Sequence, residues 1–473
     1  MASRSLFTNA ASMVSGRIAL SVGRFAAMVL VARFAGVEAY GAYAILLATV
    51  ALCEWLADFG QTDIAVRDAS QSDHVGAVTV LARLKWITGP AAAAALVAFI
   101  ILAGYPRAMI EAGCAGAFSV LLAAAIQPAR ARLRLEGRQH LDVLAEIIGL
   151  GVTLPALAAL LALNQPLWTY VAAFALGRAV QGTILIASAP FAAPSETPDG
   201  HLSQLARSAF PLGVIGVIVL AYELAAPVVL SKLMSLEDVG YFMAAFRLVA
   251  PTIMVAQATA QAFFPLLSAR WSKDPLQFVS SQNAVIYVAT FMATGMAAAA
   301  FGGAEMLMGL FGSAFRDYAF LLQIFSAVVF LRALNAVMSP LIVISDHQGT
   351  ALWLAVAALA TQLIVLVAFV PAYGLVGAAL GYLGVELVIS TLATWAYATR
   401  AAKALFDWTV PVRFAAALTL AAFVCTQLRL GNGIVGFVLC PALTMTFASL
   451  LGLATPQRLT ALKNVLAMRA ATT

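Results

Sequence analysis

The sequence predicts an all-α, polytopic membrane protein of about fourteen transmembrane helices, arranged as two pseudo-symmetric six-helix lobes followed by two additional helices. Three observations carry this. Of the 473 residues, 63% are hydrophobic and only 10% charged, far from the roughly 25% charged of an average soluble chain. Apolar runs of about 20 residues, the length that crosses the hydrocarbon of a bilayer, follow one another with short polar connections. A turn near the start of the chain returns 199 residues later.

The runs lie near 11–34, 40–62, 81–103, 108–129, 141–163 and 167–190 in the first lobe. In the second they lie near 208–230, 238–262, 284–310, 317–344, 350–372 and 374–399, and a final pair occupies 410–429 and 432–453. The expected division is a first lobe over 1–190, a Pro/Ser-rich cytoplasmic linker over 191–207, a second lobe over 208–401, and the added pair with its tail over 402–473. Without the last pair the count falls to twelve.

An even number of crossings puts both ends on one side, and basic residues choose which. Of the 27 Lys and Arg, 17 fall at the termini and the even-to-odd loops with their helix ends, against 5 in the opposite loops. This predicts cytoplasmic termini. The run Ala129 to His140, ARARLRLEGRQH, is the strongest inside marker. The net charge of +6 is thereby assigned to topology, not to nucleic acid. The N-terminus lacks the basic and apolar regions of a cleavable signal and is expected to be retained.

Cysteine and histidine usage argues against metal or covalent chemistry. Cys53, Cys114, Cys425 and Cys440 fall in apolar segments without ligand spacing and are expected as buried small hydrophobes. His74, His140, His201 and His347 lie in separate polar connections, with no triad or P-loop spacing. A membrane enzyme such as a polymerase or glycosyltransferase would need a sizeable aqueous loop or clustered acids and histidines, and neither is evident. No cofactor and no metal are expected.

The repeat sets Arg33-Phe-Ala-Gly-Val-Glu-Ala-Tyr-Gly-Ala-Tyr43 over Lys232-Leu-Met-Ser-Leu-Glu-Asp-Val-Gly-Tyr-Phe242. Glu38 lies over Glu237, Gly41 over Gly240 and Tyr43 over Phe242. One copy joins helices one and two, the other seven and eight, so the lobes are offset by six helices and share an orientation. The alternative is two unrelated hairpins with ordinary turn chemistry.

Charges inside apolar runs are the candidate functional groups, because each costs on the order of 2.5–3.5 kcal/mol at the bilayer centre unless it meets a partner or water. Arg17 and Arg24 share a face of the first helix, and Glu54 and Asp58 share a face of the second. Counted from the turn near Val37, Arg17 lies 20 residues back and Asp58 lies 21 forward. An Arg17–Asp58 pair, with Glu54 beside it, is expected to act in gating or structure. Arg24 lies 13 residues from the turn and has no acid at its depth on the second helix. In the second copy Glu223 occupies the position of Arg24, and Arg247 is its expected partner. Arg332 and Asn335 share a face of the tenth helix, Arg178 and Gln181 of the sixth, and Glu386 stands alone in the twelfth as a possible coupling-ion site. Arg24, Arg332, Arg178 and Asn335 are thus expected to line a substrate cavity; the alternative for each is an interhelical hydrogen bond that fixes packing.

The arginine in the first helix, the G-V-E-x-Y-G-x-Y turn (Gly36 to Tyr43) and the D-F-G-x-x-x-x-A-V-R segment (Asp58 to Arg67) resemble the bacterial polysaccharide flippases of the Wzx type. These share a superfamily with the MATE exporters and the lipid II flippases. The resemblance implies two six-helix lobes around a central cavity, often with two added helices. It further implies movement of a polyprenyl-pyrophosphate-linked oligosaccharide across the inner membrane by alternating access, for surface polysaccharides such as exopolysaccharide or O-antigen. The implied partners are that lipid-linked oligosaccharide, the bilayer, and a polysaccharide polymerase with its export machinery. Guanidinium groups suit a pyrophosphate because they bind its oxygens through paired hydrogen bonds and stay charged, which singles out Arg24 and Arg332. A cation-coupled MATE-type drug antiporter, enlisting Glu54, Asp58, Glu223 and Glu386, and a lipid II flippase remain open alternatives.

Overall fold

The computed structural model describes residues 2–71, 75–189, 201–271, 275–344, 348–400, 407–428 and 433–453. Within them every regular element is helical: α1 (Ala2–Ala35), α2 (Val37–Asp58), α3 (Gln61–Gln71), α4 (Val75–Leu102), α5 (Arg107–Leu135), α6 (Gln139–Ala162), α7 (Leu167–Ser188), α8 (His201–Leu233), α9 (Leu236–Trp271), α10 (Pro275–Gly302), α11 (Ala304–Met308), a 3-10 turn (Ser313–Tyr318), α12 (Ala319–Ile344), α13 (Gln348–Arg400), α14 (Thr409–Gln427) and α15 (Ile434–Leu450). Among the described residues, twelve stretches are long and apolar enough to cross a membrane. One of them, Leu352–Tyr397 within α13, is 46 residues long and is interrupted by the non-helical backbone of Gly374 (φ 56°, ψ −137°). Splitting it there and counting the 17-residue apolar α15 takes the twelve to the fourteen read in the sequence. The chain is a multi-pass membrane protein.

Its surface agrees with that reading. Trp86, Leu102, Trp353 and Leu450 are each at least 75% exposed, within a long series of exposed large apolar side chains spread along the helices, as lipid-facing helix surfaces require. Cys53, Cys425 and Cys440 are buried as expected, whereas Cys114 is exposed on α5. Its apolar setting in the sequence belongs to exposed helix surface, which composition alone does not separate from core.

The first hairpin turns on a single residue. Gly36, at φ 88° and ψ 171°, lies between the last residue of α1 and the first of α2; a side chain there would be strained, and its carbonyl accepts the first bond of α2 from Tyr40 N–H at 3.0 Å. The second copy starts its helix differently. Ser235 Oγ accepts from Asp238 N–H at 3.1 Å, while the Asp238 carboxylate accepts from both Ser235 N–H and Ser235 O–H, a reciprocal cap. The turns also meet: Gly41 packs on the start of α9 at Leu236, and Gly240 on the start of α2 at Val37.

The second helix stops earlier than its apolar run. Instead of continuing to residue 62, α2 ends at Asp58, followed by Phe59 in the left-handed region (φ 48°) and Gly60 (φ 75°), and the polar α3 leads away. The D-F-G segment is therefore a helix break. At the other helix starts, α8 begins at His201 instead of 208 and α9 runs to Trp271 instead of 262.

The chain divides into two compact units, Met1–Val228 with Ser235–Gly240, and Val229–Met234 with Tyr241–Thr473. In the first, α6 packs on α7 and α1, α5 on α4 and α7, and α2 on α4 and α5. The body of α8 belongs to the same unit: Trp55 Nε1–H donates to the Gly213 carbonyl at 3.2 Å, and Phe59 packs against Phe210. In the second, α12 packs on α10 and α13, and the final pair, α14 and α15, packs on α10, with Tyr287 O–H donating to the Leu453 carbonyl at 2.9 Å. Most of the linker expected at 191–207 lies outside the described residues.

Candidate functional site

In the first unit, two arginines from different helices meet acids from two others. Arg24 on α1 donates to Glu146 on α6. Arg178 on α7 donates to both carboxylate oxygens of Glu54 on α2, at 2.8 and 3.1 Å, and lies over the Phe174 ring at 5.4 Å. Arg24, Glu146, Thr153, Phe174, Arg178 and Gln181 all line one cavity of about 40 Å³, room for a few water molecules. Glycines set its floor: a Cβ on Gly149 would lie 2.5 Å from the Gly177 carbonyl oxygen, so α6 and α7 cross at backbone contact and hold Glu146 and Arg178 at fixed spacing.

A third pair continues the polar face. Arg130 donates to Asp142 at 2.9 Å, and Gln181 donates to the same carboxylate at 3.4 Å. Asp142 and Glu146 are one turn apart on α6 and share a face. Arg24 thus has an acid at its depth after all, supplied by a helix outside the hairpin.

The Arg17–Asp58 pair does not form. Asp58 is buried and its carboxylate accepts from Lys85 on α4 at 2.8 Å and from the Thr62 hydroxyl, while Arg17 is exposed. The ammonium of Lys85, whose side chain is 3% exposed, also donates to the carbonyls of Ala57 and Asp58 and to Gln61 Oε1, at 3.0 to 3.3 Å. The turn-centred count fixed depth along the helix axes but not direction around them, and the break at Phe59 turns Asp58 toward α4. Glu54, expected beside Asp58, is instead committed to Arg178.

The second unit gathers three predicted residues. Arg332 on α12 donates to Glu386 on α13 at 2.8 Å, and Asn335 donates to the other oxygen of that carboxylate at 3.1 Å. The guanidinium also lies over the rings of Phe246 and Tyr382, at 5.8 and 5.6 Å. Side-chain exposures are 13% for Arg332 and 6% for Glu386. Arg332 is therefore a compensated charge, contrary to its expected availability, and Glu386 does not stand alone. Glu223 belongs to the first unit and Arg247 to the second. Arg247 Nε is buried without a hydrogen-bond partner among the described residues.

A family model described as polysaccharide biosynthesis protein matches residues 30–320. The chain belongs to that family. It thereby bears out the resemblance to polysaccharide flippases at family level. No curated protein matches the sequence. Among solved structures, this family member is similar to the lipid II flippase MurJ in an inward closed conformation, at 12% identity and TM-score 0.76, over 94% of this chain and 97% of the other. It is similar to an inward-facing multidrug resistance MATE family transporter of the MOP superfamily, at 15% identity and TM-score 0.68, over 81% and 95% of the two chains. A MOP superfamily transporter from Pyrococcus furiosus matches at 16% identity and TM-score 0.58, over 83% and 94%. At these identities the shared property is the fold.

Sequence reasoning missed Glu146, Asp142 and Lys85. Glu146 and Asp142 sit in the first turns of an apolar run; their four-residue spacing on one face was the available signal. Lys85 was counted among the basic residues of a loop and its adjoining helix ends, yet it is a buried partner inside α4.

Proposed function

We propose that this member of the polysaccharide biosynthesis family is a flippase that translocates a polyprenyl-pyrophosphate-linked oligosaccharide across the bacterial inner membrane by alternating access, with both termini cytoplasmic. The observation that carries the reading is the pair of guanidinium groups, Arg24 and Arg178, lining one cavity inside a membrane-spanning unit. A diphosphate headgroup brings at least two negative charges into a low-dielectric region, and fixed, permanently charged forks are the groups suited to receive it. Arg332 and Asn335, held on Glu386, are the second unit's candidates for substrate contact; Glu386 is its candidate for a coupling ion. A polysaccharide polymerase and export machinery would act on the delivered product.

The first-unit charges support this reading over a cation-coupled drug antiporter. Among the residues lining the cavity there are two arginines, Arg24 and Arg178, and one acid, Glu146, a balance that suits an anion over a cationic drug. The test is complementation of surface polysaccharide export in a flippase-deficient bacterium, comparing wild type with Arg24→Ala, Arg178→Ala and Arg332→Ala at equal membrane abundance. Loss of export in the first two is the expected result; normal export in all three would remove the phosphate role. Complementation of a strain lacking its lipid II flippase, without rescue of polysaccharide export, would move the assignment to that substrate.

A further inference from the structure

We infer that Glu146 and Glu54 are resident counter-ions that the diphosphate of the substrate displaces from Arg24 and Arg178, so that the two carboxylates set how tightly the headgroup is held. The inference rests on the proposed flippase reading. It starts from a charge count: two guanidinium groups and two carboxylates make the resting site neutral. A dianion entering a neutral site would meet the carboxylates as closely as the arginines. The cavity is also too small as it stands, since about 40 Å³ holds a few waters and no diphosphate. Departure of both carboxylates removes the first obstacle, and departure of Glu146, which lines the cavity, eases the second.

The geometry makes that departure feasible. The Arg24–Glu146 pair is not enclosed by protein, with the side chains 55% and 24% exposed, so its partners can part without repacking the helices. Arg178 is only 12% exposed and keeps its orientation through the Phe174 ring and the packing of α7, while its partner Glu54 is 22% exposed. Arg178 is thus the fixed member of its pair and Glu54 the movable one, whereas in the other pair Arg24 is the more exposed partner and extends outward, where an incoming anion can take the place of Glu146. A diphosphate offers each guanidinium the paired acceptors that a carboxylate offers, with more charge. Glu146 and Glu54 then act as oxygen place-holders: they keep the arginines oriented and solvated in the empty state, and they weaken binding enough for the headgroup to be released.

The test measures binding to the full chain in detergent by titration calorimetry, with inorganic pyrophosphate and geranylgeranyl diphosphate as separate probes. Glu146→Gln and Glu54→Gln should each bind both probes about tenfold more tightly than wild type, a change of roughly 1.4 kcal/mol. Arg24→Gln and Arg178→Gln should each bind them at least about tenfold more weakly. Unchanged or weaker binding in the glutamate variants, with loss in the arginine variants, would overturn the counter-ion role and leave the flippase reading standing. Wild-type binding in the arginine variants would overturn the phosphate site itself. Tightening toward inorganic pyrophosphate alone would mark a free-anion site and overturn the lipid-headgroup assignment. Infrared difference spectra of wild-type protein give a second readout that needs no variant to fold: adding pyrophosphate should shift carboxylate stretching bands, and an unchanged carboxylate region overturns displacement.

Discussion

Gly41 and Gly240 close on each other's helices in mirror fashion: a Cβ on Gly41 would lie 2.0 Å from the Leu236 carbonyl oxygen, and one on Gly240 would lie 2.4 Å from that of Val37. Residues 37 and 236, like 41 and 240, are 199 apart. The reciprocal contact therefore obeys the repeat offset read from the sequence, and each copy of the turn serves as the other's packing partner.

That contact predicts a sharp cost for one methyl group. In Gly41→Ala or Gly240→Ala the new atom meets backbone, which cannot rotate away, and overpacking of this kind costs about 1–3 kcal/mol. Gly151→Ala, with open space around its Cβ position, should be neutral or slightly stabilising because alanine is the better helix former. Scanning fluorimetry in detergent would read the difference as a lowered unfolding temperature in the first two variants alone.

Lys85 and Asp58 yield a second prediction that decides between hairpin depth and observed geometry. Removing the ammonium in Lys85→Ala strands a buried carboxylate and should cost about 3–5 kcal/mol, seen as loss of folded, monodisperse protein after extraction. Arg17→Ala should stay within about 0.5 kcal/mol of wild type. Adding Asp58→Asn to Lys85→Met should recover part of the loss, since no charge is then left alone.

For Arg332 and Glu386, a double-mutant cycle is the direct measure. Arg332→Gln and Glu386→Gln should each destabilise the second unit, and the double variant should lose less than the sum, with a coupling of about 1–3 kcal/mol. Strict additivity in thermal unfolding would mean that the 2.8 Å bond contributes nothing.

Arginine chemistry can be separated from charge at Arg24. Arg24→Lys keeps the cation but replaces a planar fork with a point charge, so export in the complementation assay should fall by on the order of tenfold at unchanged membrane abundance. Full export by the lysine variant would mean that paired hydrogen bonding is not used there.

The bilayer explains what could be read in advance. Crossing length and hydropathy are imposed by a slab of fixed thickness, so the boundaries of runs such as 350–372 and 374–399 could be placed, even to the break at Gly374. Eleven residues of turn chemistry, Arg33 to Tyr43, were enough to reveal the repeat. Ion partners were not legible in the same way. Arg24 finds Glu146, 122 residues away, and Arg178 finds Glu54, 124 away, because direction around a helix axis and the order of neighbouring helices decide contact. Depth counting within one hairpin carries neither. Lys85 was hidden by a different effect: a basic residue near a helix start looks like a topology marker until the helix is seen to begin at Val75.

The single-residue turn at Gly36 has a consequence for biogenesis. With only Gly36 between Ala35 and Val37, no loop separates the two helices, so α1 and α2 are expected to insert as one hairpin. Arg17, Arg24, Glu54 and Asp58 make that passage together, two cations beside two anions, before α4, α6 and α7 have been synthesised to supply Lys85, Glu146 and Arg178. The hairpin would then use provisional partners during insertion and exchange them as later helices arrive.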